Sequence, residues 1–160
     1  MANTYTQLYV HIVFAVKGRQ NIIPSNKKEE LYKYITGIFK NKNNKLLAIN
    51  GMSDHIHILL NQNPEDSLSS LVKEIKRCSS MFINKNKWMV GNFEWQSGYS
   101  GFTYSRSQIS TVCRYIENQE VHHKKRTFKE EYVELLKKFA VDYDKKYIFD
   151  EVLEDIIPTG

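Results

Sequence analysis

In the stretch TYTQLYVHIVFAVKG (4–18), Leu8, Val10, Ile12, Phe14 and Val16 alternate with other residues. Period two predicts a strand with two unlike faces. The period then changes. After Pro24 and Ser25, Leu31, Ile35, Ile38 and Phe39 recur at helical spacing, so a helix is expected through PSNKKEELYKYITGIFKNKNN with Ser25 as its cap. Residues 45–54 and 55–62 return to strand character. Gly51 lies near the join, and the two are expected to pair antiparallel. A second helix is expected over 63–86, opening at Pro64 and acidic residues, with Leu68, Leu71, Val72, Ile75, Met81 and Phe82 on its apolar face. NFEWQSGYSGFTYS (92–105) predicts two short strand pieces broken by Gly98 and Gly101. Helices over 106–125 and 127–147 follow. Ser107 is the candidate cap of the first. Thr127 caps the second, with Glu130 three residues on.

The order is β-α-β-β-α-β and then two helices. That is an α+β fold of ferredoxin-like type: a βαββαβ antiparallel sheet with helices on one face, plus C-terminal helices. The third strand is expected near the middle of the sheet, with its second face open. One domain covers 1–146, and an acidic tail fills 147–160.

SDHIHILL (53–60) puts His55 and His57 on one face of that third strand and Ile56 and Ile58 on the other. Two such histidines fill a core or hold a metal, and two imidazoles alone make a weak site. A further ligand must come from elsewhere. CRYIENQEVHHKK places Tyr115 and Gln119 four apart, on one helical face. Spacing alone favours a half-buried tyrosine beside a solvated glutamine. The chemical alternative has the glutamine oxygen on Mg²⁺ or Mn²⁺ and the tyrosine hydroxyl attacking a phosphodiester. His11 sits in the first strand, a candidate neighbour of the third, while His122 and His123 read as a basic solvated patch. The aromatic residues of 92–105 read as strand core.

The formal net charge of +5 admits a nucleic-acid partner and equally suits plain solubility. Cys78 and Cys113 have no metal or redox spacing and read as free thiols in a reducing cytoplasm. The N-terminus lacks a signal-peptide pattern, and no apolar run approaches the roughly 20 residues of a membrane span.

Taken together, HIVFAVKGR, SDHIHILL, WQSGYSGFTYS and YIENQ, in that order, resemble the motifs of the single-tyrosine HUH transposases. These are the small enzymes of the simplest insertion sequences and of REP-associated elements. The resemblance covers roughly residues 5–125. It implies a ferredoxin-like homodimer that recognises hairpins in single-stranded DNA at element ends. It implies cleavage by tyrosine attack, leaving a 5′-phosphotyrosine and a free 3′-OH, and then rejoining. It makes His55, His57 and Gln119 metal ligands for Mg²⁺ or Mn²⁺ and Tyr115 the nucleophile. Whether Tyr115 serves its own chain or a partner's is left open. The basic cluster is thin, since only Lys17 and Arg19 stand in KGRQ. The rival readings are a domesticated REP-associated enzyme of the same chemistry and a non-catalytic ferredoxin-like nucleic-acid-binding module.

Overall fold

The computed structural model describes residues 3–19 and 22–144; the acidic tail expected over 147–160 lies outside the described residues. Four strands, β1 (Tyr9–Ala15), β2 (Lys45–Met52), β3 (His55–Asn61) and β4 (Ser100–Thr103), form one sheet in the order β2-β3-β1-β4. Every neighbouring pair is antiparallel. Helix α1 (Lys28–Asn41) joins β1 to β2, and α2 (Leu68–Lys85) joins β3 to β4. The expected ferredoxin-like arrangement is therefore present, with β3 inside the sheet.

The two faces of β1 and β3 carry different chemistry because side chains alternate. Val10, Ile12 and Phe14 join Ile56, Ile58 and Leu60 against Leu31, Ile35, Leu71 and Ile75 of α1 and α2. His11 and Val13 share the opposite face with His55 and His57, since Val13 pairs with His57 and Ala15 with His55. A slip of one residue would bring the histidines into the apolar core and the isoleucines onto the face that now carries the histidines, so the register is strongly specified.

The second face was expected to be open, and it is covered. Helices α3 (Ile109–Glu117), α4 (Gln119–His123) and α5 (Phe128–Lys138) cross it. Val13, Ala15 and Phe102 pack with Phe128, Leu135 and Leu136, while Leu59 packs with Val112 and Ile116. The amphipathic C-terminal helices needed an apolar surface, and this face supplies it beside its histidines. Asn50, opposite His57 on β2, donates its Nδ2 to the carbonyls of Ile116 and Glu117, each at 3.0 Å. Those are orphan carbonyls of the α3 C-terminus, so one side chain ties that helix end to the sheet.

Several expected boundaries move. Pro24 and Ser25 lead into a short 3₁₀ turn (Ser25–Lys27), and Ser25 makes no cap bond. Helix α2 starts at Leu68, because Ser67 caps it by accepting from the Ser70 N–H at 3.1 Å. Only β4 and an isolated bridge from Trp95 to Val16 form in 92–105, with Gly98 at φ 86° between them and Gly101 inside β4. Ser105, not Ser107, opens the turn before α3: its N–H donates to Gln108 Oε1 at 3.1 Å. Thr127 caps α5 as expected, accepting from the Glu130 N–H at 3.2 Å. The expected helix over 106–125 is divided at Asn118, which has φ −97° and ψ 27°.

Gly51 marks where the β2–β3 turn is tightest. A Cβ there would lie 2.2 Å from the His55 carbonyl oxygen and 2.9 Å from the Ile56 Cα. Those are backbone atoms that cannot swing aside. Gly51→Ala is expected to destabilise by at least about 1–3 kcal/mol, the cost of forced overpacking. Urea denaturation measures it, and unchanged stability would contradict the close approach.

Candidate functional site

His55 and His57 are fully buried under the C-terminal helices. Each ring is held through its Nδ1. For His55 the partner is Asp54 Oδ1 at 2.7 Å, and for His57 it is His11 Nε2 at 2.8 Å. Both Nε2 atoms therefore face a common centre. His55 Nε2 lies 3.2 Å from Gln119 Oε1 and 3.6 Å from Glu131 Oε1, and His57 Nε2 lies 3.0 Å from Glu131 Oε1. A carboxylate in Asp54 can only accept, so the His55 proton on that side sits on Nδ1. In neutral His55 the Nε2 lone pair then points at two oxygens. Such a cluster is stable with a cation or a proton between its members.

The dimensions suit a small divalent ion. Donors at octahedral Mg²⁺ bond lengths lie about 2.9 Å apart along an edge. His55, His57 and Glu131 each offer a ligand atom within 4.8 Å of the others, and Gln119 Oε1 adjoins them. Two imidazole nitrogens, a carboxylate oxygen and an amide oxygen form a set that Mg²⁺ and Mn²⁺ accept.

Tyr115 and Gln119 come together despite the break at Asn118. Gln119 is the first residue of α4 and is fully buried, not solvated. Its Nε2 faces the Tyr115 carbonyl at 3.5 Å and Glu131 Oε2 at 3.4 Å, which turns its oxygen toward His55. The half-buried Tyr115 donates its hydroxyl to Glu131 Oε2, and its ring meets that of His57 edge-on at 5.9 Å. All four expected site residues thus converge within one chain.

The sequence reading missed the hub. Glu131 of α5 is fully buried and meets His57, Tyr115, Gln119 and His123. A signal for it existed: Phe128, Glu131 and Leu135 share one helical face, so a carboxylate sits in an apolar stripe. His123 was read as part of a solvated patch. Its side chain is 9% exposed, and its Nε2 reaches Gln119 Oε1 at 3.1 Å and Glu131 Oε1 at 3.2 Å. His122 is half-buried, with its ring 4.8 Å from that of Tyr115. Phe93, Trp95 and Phe102 are buried, in line with the strand-core reading of the aromatic stretch.

Electrostatics follow from this packing. Burial opposes ionisation of Glu131, but hydrogen bonds from His123 and His57 outweigh it and hold its carboxyl well below the usual range. Burial first, and then the Glu131 carboxylate, push the Tyr115 phenol above its ordinary value. Burial also lowers His11 far below the usual imidazole value, with His57 adding to the effect. Burial lowers His57 to about 4 against the opposing pull of Glu131.

That depression makes a stability prediction. Unfolded His57 binds a proton near pH 6.5, while folded His57 resists until about pH 4. The contribution is therefore complete above pH 6.5 and is lost as pH falls through that window. In chelator, His57 alone is expected to account for roughly 3 kcal/mol of the loss. Chemical denaturation at pH 7 and pH 4.5 should show a smaller drop for His57→Gln than for the unmodified chain. Equal drops would remove His57 as the cause.

Comparison with known proteins places this geometry in context. The pattern of the family described as "Transposase IS200 like" matches residues 4–119. The ISDra2 transposase TnpA of Deinococcus radiodurans is 28% identical over 119 residues, covering 71% of this chain and 84% of that protein. The transposase for insertion sequence element IS200 of Salmonella typhimurium is 29% identical over 124 residues, covering 74% and 81%. The solved structure of a REP-associated tyrosine transposase bound to a REP hairpin superposes with a TM-score of 0.59 at 15% identity, over 94% of this chain and 93% of that one. At that identity the likeness is one of fold. Glu131 and His123 lie beyond the segment that the family pattern matches.

Proposed function

The chain belongs to the IS200-like transposase family, and from that premise we propose that it cuts and rejoins single-stranded DNA beside hairpins, with Tyr115 as nucleophile and a divalent cation at the histidine centre. The observation that carries this reading is the convergence of Tyr115, Gln119 and Glu131 on the Nε2 atoms of His55 and His57. The ligands would be His55, His57, Gln119 and Glu131. Bound among them, Mg²⁺ or Mn²⁺ would draw charge from the phosphate oxygens.

The rest is the work of the chain's own groups. The Tyr115 oxygen attacks phosphorus, and Glu131 Oε2, which already accepts its hydrogen bond, is placed to take the proton. The bond from phosphorus to the 3′ oxygen breaks. That oxygen takes a proton from solvent and leaves as a free 3′-OH, while the 5′ phosphate stays on Tyr115. Attack by a 3′-OH on that link reverses the step and rejoins strands. Asp54 and His11 hold the two histidines in the orientation the site needs.

The test is incubation with hairpin-bearing single-stranded DNA and Mn²⁺, followed by a denaturing gel. A covalent protein–DNA band supports the reading, and its absence with cleavable hairpins from the element's ends would sink it.

A homodimer completes the proposal on the resemblance alone. Leu135, Leu136 and Phe139 of the C-terminal segment pack within the chain. Because Tyr115 lies over the His57 of its own chain, it is read as acting there. Mixing Tyr115→Phe with His57→Ala subunits is then expected to restore no cleavage. Recovered cleavage would mean that the tyrosine is supplied by a partner. Among the described residues no helix is long and apolar enough to cross a membrane.

A further inference from the structure

A chain of hydrogen bonds leads from the centre, past the Tyr115 ring 6.3 Å from that of His11, to the cavity that Tyr115 lines. His57 Nδ1 lies 2.8 Å from His11 Nε2, and His11 Nδ1 lies 3.4 Å from the Tyr104 hydroxyl. His11 and His57 are fully buried, so water does not compete along the chain. Tyr104 is half-buried and lines a cavity of about 430 Å³ that Tyr115, Thr111, Arg126, Glu131 and Lys138 also line.

The same protons can satisfy this chain in two ways. With no cation, the Glu131 carboxylate accepts the His57 Nε2 hydrogen at 3.0 Å. His57 Nδ1 is then bare and accepts from His11 Nε2. His11 Nδ1 is bare in turn and accepts the Tyr104 hydroxyl hydrogen. A cation on His57 Nε2 needs that lone pair, which moves the ring proton to Nδ1. His57 now donates to His11 Nε2, and His11 carries its proton on Nδ1 and donates to the Tyr104 oxygen. Each ring changes the nitrogen that bears its proton, and none is gained or lost. The Tyr104 hydroxyl hydrogen is left without its former acceptor.

We infer that Tyr104 contacts the DNA strand from this cavity, and that metal on His57 switches its hydroxyl, through His11, into a donor toward an acceptor oxygen or nitrogen of a nucleotide next to the scissile phosphate. The inference rests on the proposed roles of Tyr115 and His57. A strand with its phosphate at Tyr115 must run past the cavity that Tyr115 lines. Lys138 and Arg126 line that cavity beside Glu131 and Glu134, and Arg126 pairs with Glu134, which leaves Lys138 as the cation placed to meet a backbone phosphate. Nucleotides offer acceptors throughout, so a donor that appears only with metal ties strand binding to a loaded centre.

The test reads tautomers directly. Protein labelled with ¹⁵N at histidine is observed by long-range ¹H–¹⁵N correlation, with and without saturating Mg²⁺. Both His57 and His11 should carry their protons on Nε2 without the ion and on Nδ1 with it. A change at His57 with none at His11 would overturn the relay and leave the metal reading standing. No change at His57 would overturn the metal reading itself. A second measurement uses Tyr115→Phe protein, so that no strand is cut, and the hairpin-bearing oligonucleotide by fluorescence anisotropy. Adding Tyr104→Phe should weaken binding about three- to tenfold in Mg²⁺, the scale of one hydrogen bond. It should have little effect in chelator, and Mg²⁺ affinity by calorimetry should be unchanged. Equal weakening in both conditions, or none in either, would overturn the switch.

Discussion

Tyr115→Phe is expected to fold and to bind hairpin DNA as the unmodified chain does, yet to form no covalent adduct. The substitution removes one oxygen and keeps the ring that packs against His57 and His122. Removing a covalent nucleophile costs on the order of 10⁶-fold in comparable chemistry, so strand cleavage should vanish from a gel. The fold should not suffer. The lost hydroxyl leaves Glu131 with hydrogen bonds from His57 and His123. Mass spectrometry of the trapped adduct formed by unmodified protein gives the complementary result. A nucleotide on Tyr99, Tyr104 or Tyr132 instead of Tyr115 would overturn the assignment.

His57→Ala is expected to have the second largest effect, and for a different reason. It removes one of the two imidazoles at the centre and leaves the Glu131 carboxylate buried with fewer donors. Mn²⁺ binding should weaken by more than about 100-fold, since even the outer partners of a metal ligand are worth 10–100-fold. Cleavage should fall below detection, whereas the proposed hairpin binding should persist, since backbone and base contacts would not need this imidazole. Calorimetric titration with Mn²⁺ and a binding assay separate the two. Unchanged cleavage in this variant, or in excess chelator, would remove the metal from the mechanism.

The strand face that bears the histidines could be read directly, because alternation in HIHILL has one outcome once Ile56 and Ile58 go to the core. The order of strands and helices followed from the changes of period. Local chemistry moved the boundaries. Ser67 outcompeted Pro64 as the start of α2 because its side chain satisfies an amide, and Asn118 interrupted a run that spacing alone continues. The site was legible only where its residues were close in sequence. Tyr115 and Gln119 are one turn apart, and His55 and His57 two residues apart. Glu131 joins them only through tertiary packing, and His11 acts from 44 and 46 residues before the pair it helps to set. The closed second face was missed for a similar reason. Nothing local says which surface an amphipathic helix will cover.

On the proposed reading, Glu131 lies on α5 and would hold the ion, so the docking of α5 and the occupancy of the histidine centre become one equilibrium. A ligand that prefers the docked form stabilises it by RT ln(1 + [L]/Kd), about 2.7 kcal/mol at a hundredfold excess over Kd. Reciprocity then requires that anything loosening α5 weakens the ion by the same factor. The amides of Glu131 to Leu135 should exchange with deuterium about 100-fold more slowly in saturating Mg²⁺, while those of α1, on the far side of the sheet, should keep their rates.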